Sequence, residues 1–265
     1  MISMDMTGKV TLVTGAGGGI GGGIADVFAK AGAKVYVADL EIHDAAAKAQ
    51  ELQRDGYQAV AVRLDVTKKD DIYARTRQVV EESGKIDHLI NCAGIAYSKP
   101  YMESTDDEFR KMLEVNLIGM NNCCQAVLEH MIPRKEGKIV NILSASSRQG
   151  SDFYTHYSSS KFGALGLTQG IGLAAARHNI NVNGICPGLI LTKIGEKQGG
   201  NLVQQMSKYS GKSEEMMQES LRRSIPLRRF QTVWDIGYMA LFLCSDLAKN
   251  ITCQAINVCG GMRMN

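Results

Sequence analysis

The sequence predicts an α/β fold, a doubly wound parallel sheet of about seven strands with helices on both faces. Three observations predict it. Short apolar runs alternate with longer amphipathic segments in β-α-β-α order along nearly the whole chain. Most of those runs are continuous Val/Ile/Leu stretches, the pattern of strands covered on both faces. The first run ends in a glycine-rich turn that leads into a helical segment. Right-handed crossovers then wind the chain to both sides of the sheet, and ligands are expected outside the carboxyl ends of its strands.

The elements follow in order. "KVTLVTG" (9–15) is a buried strand closed by glycine, and "GGGIADVFAKAG" (21–32) a helix with Gly32 as its C-cap. "KVYVAD" (34–39) is the second strand. Residues 43–55, rich in Ala, Lys, Gln and Glu, form a helix, and "QAVAVRLDV" (58–66) the third strand. A helix over 69–83 precedes the fourth strand, "IDHLINCAG" (86–94). One long helix is expected over about 106–132, then a strand at "GKIVNILS" (137–144), a helix over 156–177 and a strand at "INVNGICPG" (180–188) stopped by Pro187. Residues 193–223 are polar, Met-rich and weakly periodic. "VWDIGYMALFLCS" (233–245) is the last helix and "QAINV" (254–258) the seventh strand.

The 265 residues suit a single domain over 1–265 with a sizeable core and a substrate-covering insert at about 193–226. Apolar residues make up 45% and charged residues 22%, the balance of a soluble globular protein. A net charge of +3 is too small to argue for nucleic acid or an anionic membrane, so neither is an expected partner. No apolar stretch approaches the roughly 20 residues of a membrane helix. "MISMDMTGKV" lacks the basic start and apolar run of a signal peptide. Seven cysteines form no CxxC pair and have no His cluster beside them, so no metal is expected. Free thiols in a reducing cytoplasm are the simpler reading.

"TGAGGGIGGGIA" (14–25) joins the first strand to the first helix. Backbone N–H groups at a helix start attract anions, and glycine lets a pyrophosphate approach. The loop fits two templates, Gly15-x3-Gly19-x-Gly21 (with Ile20 inside it) and a GxGxxG string through Gly17, Gly19 and Gly22. No Lys-Ser or Lys-Thr follows, so it is not a Walker A loop. Asp39 ends the second strand about twenty residues on, with Leu40 next to it. A carboxylate there accepts hydrogen bonds from ribose hydroxyls and repels a 2′-phosphate. With no Arg or Lys within 10–29 or at position 40, NAD is favoured over NADP. A helix N-cap or turn residue is the plainer role for Asp39, and its position with the glycine loop favours ribose binding over it.

"THYSSSKFGALG" (155–166) places Tyr157 and Lys161 one helical turn apart. An unperturbed phenol titrates near ~10; bringing it to about 7 takes roughly 3 units, or ~4 kcal/mol. A unit charge at about 4 Å in an effective dielectric near 20 supplies about that much. The spacing therefore lets a lysine make a general base of a tyrosine.

With these residues in view, the chain resembles a short-chain dehydrogenase/reductase of the NAD type over nearly its whole length. The matching stretches are "TGAGGGIG" (14–21), "LDV" (64–66), "NCAG" (91–94), "VN" (115–116), Ser144 with Tyr157-x3-Lys161, and "PGLILT" (187–192). The resemblance implies a Rossmann-type sheet and hydride transfer between nicotinamide and a secondary alcohol or ketone. It implies Tyr157 as general acid/base and Lys161 as the group that lowers its pKa and holds the nicotinamide ribose. Ser144 would bond the substrate oxygen, and Asn116 would support a proton relay through water and Lys161. Asp65 and Val66 would flank the adenine, and Asn91, Ala93 and Gly94 would line the middle of the cofactor. Pro187, Gly188, Ile190 and Thr192 would cover the nicotinamide end. Homotetramers are also implied, with "WDIGYMALFLC" and "QAINV" compatible with contact surfaces.

Four positions depart from the family pattern without removing a catalytic group. Cys92 stands for a second asparagine, Leu143 for a serine, Cys253 for a glycine and Cys259 for an aspartate. His156 is expected to face the substrate cleft or solvent, because adjacent helical residues diverge by about 100°. The insert resembles that of members acting on sugar alcohols, their phosphates and vicinal diols, which implies a small polyol or diol substrate. A hydroxysteroid or 3-oxoacyl substrate is the alternative. From other classes, a non-catalytic NAD-binding regulator and an S-adenosylmethionine-dependent methyltransferase share the glycine loop, but neither needs Tyr157-x3-Lys161.

Overall fold

The computed structural model describes residues 4–191 and 202–264. Seven parallel strands form one sheet: β1 (Val10–Thr14), β2 (Lys34–Asp39), β3 (Ala59–Arg63), β4 (His88–Asn91), β5 (Gly137–Ile142), β6 (Ile180–Pro187) and β7 (Ala255–Val258), in the order β3-β2-β1-β4-β5-β6-β7. The order reverses between β1 and β4, which opens a crevice at their carboxyl ends. This is the expected doubly wound sheet. Strands three and four are shorter than expected, because "LDV" and "CAG" turn out of the sheet to form the rim of that crevice.

Helices α1 (Gly19–Lys30), α2 (Ile42–Arg54) and α9 (Val233–Cys244) accompany one face, and α3 (Lys69–Ser83), α5 (Met120–Arg134) and α6 (Thr155–Ala176) the other. The faces are sorted by strand alternation: Val13 joins Ile24, Phe28 and Ile236 in one core layer, while Leu12 joins Ile72, Val79 and Val127 in the other. Burying a side chain such as Phe28 or Ile24 contributes roughly 1.5–3 kcal/mol each. α7 (Leu202–Ser210) and α8 (Glu214–Ser224) lie in the expected insert, with a Gly-Lys break between them.

The expected long helical stretch over about 106–132 is present and unbroken from 106 to 134, but its middle is wound more widely. α4 (Asp106–Leu113) opens with a capping box between Thr105 and Glu108. A π-helical stretch, Glu114–Gly119, follows before α5 begins. The wider turn carries Asn116 toward the sheet, and Gly119 admits the Val66 carbonyl, which would stand 2.7 Å from an added Cβ. Gly32 is the residue after the α1 C-cap, Ala31, and its φ of +96° reverses the chain into β2.

Cys253 precedes β7 in the left-handed region at φ +61°. A Cβ on Gly172 of α6 would lie 2.6 Å from its sulfur, so the thiol fills the space that a glycine leaves.

Candidate active site

The glycine loop leaves β1 and enters α1 with no side-chain cap on Gly18 and no acidic residue in the first turn. Its N–H groups therefore face the crevice with no carboxylate of the helix to oppose an anion. Glycines of both templates are tightly placed, since a Cβ on Gly17 would lie 2.7 Å from Asp44 Cβ. Gly15 sits at φ +65°, and a Cβ on Gly21 would lie 2.1 Å from the Gly15 carbonyl oxygen. Thr14, the first residue of the glycine motif but given no role by it, ties the loop to β4: its hydroxyl accepts the N–H groups of Cys92 and Ala93 at 3.1 Å each.

Asp39 is held at the end of β2. Its Oδ2 accepts the Gly17 N–H at 2.9 Å and its Oδ1 the Glu41 N–H at 3.1 Å. It caps no helix, since the N-cap of α2 is Glu41. Leu40 beside it is exposed and Ile20 half-buried. Asp65 closes a turn, its Oδ1 accepting the N–H and hydroxyl of Thr67 at 2.9 and 2.7 Å. Against the cost of burial, those bonds hold its carboxyl below the usual range. Val66, Asn91, Ala93, Asn116 and Lys161 line one small cavity with Thr14.

Asn91 donates to Asn141 Oδ1 at 2.8 Å and to the Cys124 sulfur at 3.2 Å, while its own Oδ1 is buried without a partner. Asn141 in turn donates to Thr168 of α6 at 3.0 Å, joining β4, β5 and α6. Asn116 accepts the Ile95 N–H and donates to the Ile95 carbonyl, each at 2.8 Å, and donates to Ser160 at 3.1 Å. Both of its amide hydrogens are thus engaged in holding the chain after β4 against α6. Gly94 packs 3.2 Å (from an ideal Cβ) from the Asn116 Oδ1.

Ser144 follows β5 and caps a short turn over Ala145–Ser147. Its Oγ accepts the Ser146 N–H at 3.0 Å and its own N–H donates to Ser147 Oγ at 3.3 Å. The Ser144 hydroxyl hydrogen remains to be donated outward, and the Tyr157 phenol lies within its reach. Lys161 is buried, donates to the Ile142 carbonyl at 2.8 Å and stands 5.8 Å from the centre of the Tyr157 ring.

The electrostatics correct one expectation. Burial pushes the Tyr157 phenol above its ordinary value, with the Ser144 hydrogen bond pulling it back. Burial also lowers Lys161 to about 8. Desolvation disfavours both charged forms, so the lysine alone does not bring the phenol to neutrality. Burial likewise pushes Cys92 up to about 12, against the pull of Lys161, and keeps it a thiol.

Pro187, Gly188 and Ile190, expected at the nicotinamide end, follow from the carboxyl end of β6. The Gly188 N–H donates to Val258 at 3.0 Å, and Ile190 pairs with Gln231, whose N–H donates to Leu189 at 3.1 Å. A Cβ on Gly188 would lie 2.4 Å from Gln231 Oε1, a second residue that no motif named. Thr192 lies outside the described residues. His156 is half-buried, and its ring stacks on Phe109 at 4.5 Å and meets Tyr101 edge-on at 6.1 Å. Among the described residues no three His, Cys, Asp or Glu side chains gather as a metal site, and no helix is long and apolar enough to cross a membrane.

An uncapped helix N-terminus, a carboxylate at the end of β2 and an unmatched Asn91 oxygen fit a dinucleotide along the crevice. The comparisons agree. The family model for short chain dehydrogenases matches residues 9–202. Galactitol 2-dehydrogenase of Agrobacterium fabrum (strain C58) is 37% identical over 99% of this chain and 100% of that protein. The structure of NAD+-bound xylitol dehydrogenase superposes with a TM-score of 0.91 at 29% identity, over 97% of this chain and 99% of that one. Actinorhodin polyketide ketoreductase with NADPH gives 0.91 at 32% identity, over 99% of both chains. With this sheet, this crevice and these matches, the chain belongs to the short-chain dehydrogenase family, as an oxidoreductase with a nicotinamide-binding fold.

Proposed function

We propose that the chain is an NAD(H)-dependent alcohol dehydrogenase and ketone reductase whose substrates are small polyols or diols. The observation that carries the reading is the convergence of Ser144, Tyr157 and Lys161 at the carboxyl end of β5, beside the crevice. NAD is supported by Asp39, whose carboxylate is fixed by two backbone N–H groups where an adenosine ribose would lie. Lys48, which packs against Gly22, is already paired with Asp26 at 3.0 Å and Glu51 at 2.8 Å, so it does not offer itself to a 2′-phosphate. Polyol chemistry is supported by the likeness to galactitol 2-dehydrogenase and xylitol dehydrogenase.

Bound NAD supplies the hydride acceptor and a positive ring. Gly15, Gly19 and Gly21 with the start of α1 hold the pyrophosphate; Asp39 holds the adenosine ribose; Asp65 and Val66 flank the adenine. Asn91, Ala93 and Gly94 would line the centre, and Pro187, Gly188 and Ile190 the nicotinamide end. Ser144 donates to the substrate oxygen, steadying charge as it develops there. Tyr157 takes the proton from that oxygen in oxidation and returns it in reduction. Lys161, anchored on Ile142, keeps its ammonium near the phenol and favours the phenolate. Because burial acts the other way, a second positive charge is needed; each unit charge at about 4 Å supplies about 4 kcal/mol at an effective dielectric near 20. Asn116 holds the segment after β4 in place, so a relay through it runs by its main chain.

We further propose a cytoplasmic homotetramer of this single catalytic domain. All seven cysteines are free thiols. The outer face of α6 leaves Gly170 open and Leu173 73% exposed, and α9 presents Trp234 and Tyr238 beside the half-covered β7. A monomeric mass in sedimentation would refute the assembly.

The test is the absorbance of NADH formed from a panel of polyols, polyol phosphates, diols and hydroxysteroids, with NAD and with NADP. Turnover of a polyol or diol with NAD is expected. Preference for NADP, or oxidation of hydroxysteroids alone, overturns the cofactor or the substrate reading respectively.

A further inference from the structure

Ser98, Tyr154 and Gln205 come from three separate stretches of chain and meet beside Tyr157. Ser98 lies between β4 and α4, Tyr154 is the N-cap of α6, and Gln205 is on α7. The Lys99 N–H donates to the Phe153 carbonyl at 3.2 Å, so the first two stretches run side by side. The Ser98 N–H donates to Gln205 Oε1 at 3.0 Å, which draws α7 onto them. The Tyr154 and Tyr157 rings are 5.7 Å apart, tilted by 57°.

The cluster is polar and uncharged, with Ser98 buried and Tyr154 and Gln205 half-buried. Ser98 is 6% exposed, and its Oγ approaches the Tyr154 phenol without making a hydrogen bond of its own. Burial pushes the Tyr154 phenol up to about 12, so it is a neutral donor throughout the working pH range. A buried hydroxyl without a partner costs about 1–3 kcal/mol, a cost a ligand group relieves by supplying the missing bond. An aliphatic chain or steroid face leaves that hydroxyl unmatched; another hydroxyl both donates to it and accepts from it.

We propose that Ser98, Tyr154 and Gln205 form a subsite that reads a second hydroxyl, on the carbon next to the one that reacts. The subsite selects vicinal diols and polyols over simple secondary alcohols. This rests on the reading of Tyr157 as the group that meets the reacting oxygen. Because Gln205 arrives on α7, the subsite is complete only when that helix lies against the body of the protein. Sites built to bond a hydroxyl reject the analogue lacking it far more strongly than apolar pockets reject an extra methylene.

The experiment compares butane-2,3-diol (all stereoisomers) with butan-2-ol as substrates, with NAD, in the wild type, Ser98→Ala and Tyr154→Phe. Wild type is expected to favour the diol by at least ~100-fold in kcat/KM. Each variant is expected to reduce that ratio by at least ~10-fold, mainly through KM for the diol. Melting curves and NADH fluorescence report folding; if Tyr154→Phe does not fold, Ser98→Ala decides. A wild type that treats the two alcohols alike, or variants that lower both substrates by the same factor, overturns the subsite and leaves the dehydrogenase reading intact. A folded, NADH-binding wild type that oxidises no alcohol of any class overturns both.

Discussion

The Lys161 ammonium donates a 2.8 Å hydrogen bond to the carbonyl oxygen of Ile142, two residues before Ser144. One bond thereby sets α6, which carries Tyr157, against the strand that leads to Ser144. It also leaves a buried cation whose pKa has fallen to about 8.

That fall makes Lys161 a stability liability. Between about 8 and its ordinary value of 10.5 the unfolded chain holds the proton that the folded chain has lost, so stability rises with pH across that window. Below about 8 the penalty is at full strength. Lys161→Met should therefore abolish turnover yet raise stability at pH 7 by about 1–2 kcal/mol, after the lost Ile142 bond is subtracted from the ~3 kcal/mol relieved. Urea unfolding at pH 7 and pH 10 checks it; the gain must shrink at the higher pH.

Removing the phenol separates chemistry from binding. Tyr157→Phe should lower kcat by ~100- to 10,000-fold while NADH binding, read by fluorescence transfer, persists. Unchanged turnover would show that the chemistry does not run through Tyr157; a wild type that binds NADH and turns nothing over would favour a regulator that merely binds the dinucleotide.

Asp39→Ser removes the acceptor of the Gly17 and Glu41 N–H groups as well as the ribose partner. Hydrogen bonds to a charged group are worth about 1.5–3 kcal/mol, so kcat/KM with NAD should fall at least ~10-fold. The value with NADP should rise as the repulsion is lifted. Steady-state kinetics with both cofactors decides.

His88 gives the molecule an acid sensitivity remote from the active site. It is buried in β4 with its Nδ1 2.9 Å from Thr11 Oγ1, and burial lowers it to about 4. As pH falls from about 6.5 to 4 the unfolded histidine takes up a proton that the folded one refuses, so stability declines and then levels off. The loss should amount to about 3 kcal/mol. His88→Gln should flatten the slope of urea stability against pH in that window.

Much of this was legible in the sequence because each feature has a local cause. Continuous apolar runs mark covered strands, and the glycine loop, Asp39 and Tyr157-x3-Lys161 depend on short spacings. The less legible features depend on distant partners. Nothing within 106–134 announces the π-helical stretch, whose cause is the approach of Asn116 to Ile95 and of Val66 to Gly119. Thr14, Asn141 and Gln231 look like ordinary strand and loop residues until β4, α6 and the 187–190 segment are brought against them. The upward push of burial on Tyr157 is hidden for the same reason: spacing reveals a neighbouring charge, whereas burial is a property of the whole fold. His156 illustrates the point again, since its partners Phe109 and Tyr101 lie some fifty residues earlier.

The thiol of Cys253, seated over Gly172, ties two positions far apart in the chain into one unit of change. Enlarging Gly172 alone drives a methyl group into sulfur, whereas a glycine at 253 first vacates that space. A lineage therefore reaches a bulkier residue at 172 by one order of steps and is blocked by the other, and a double-mutant cycle on the pair should be strongly non-additive.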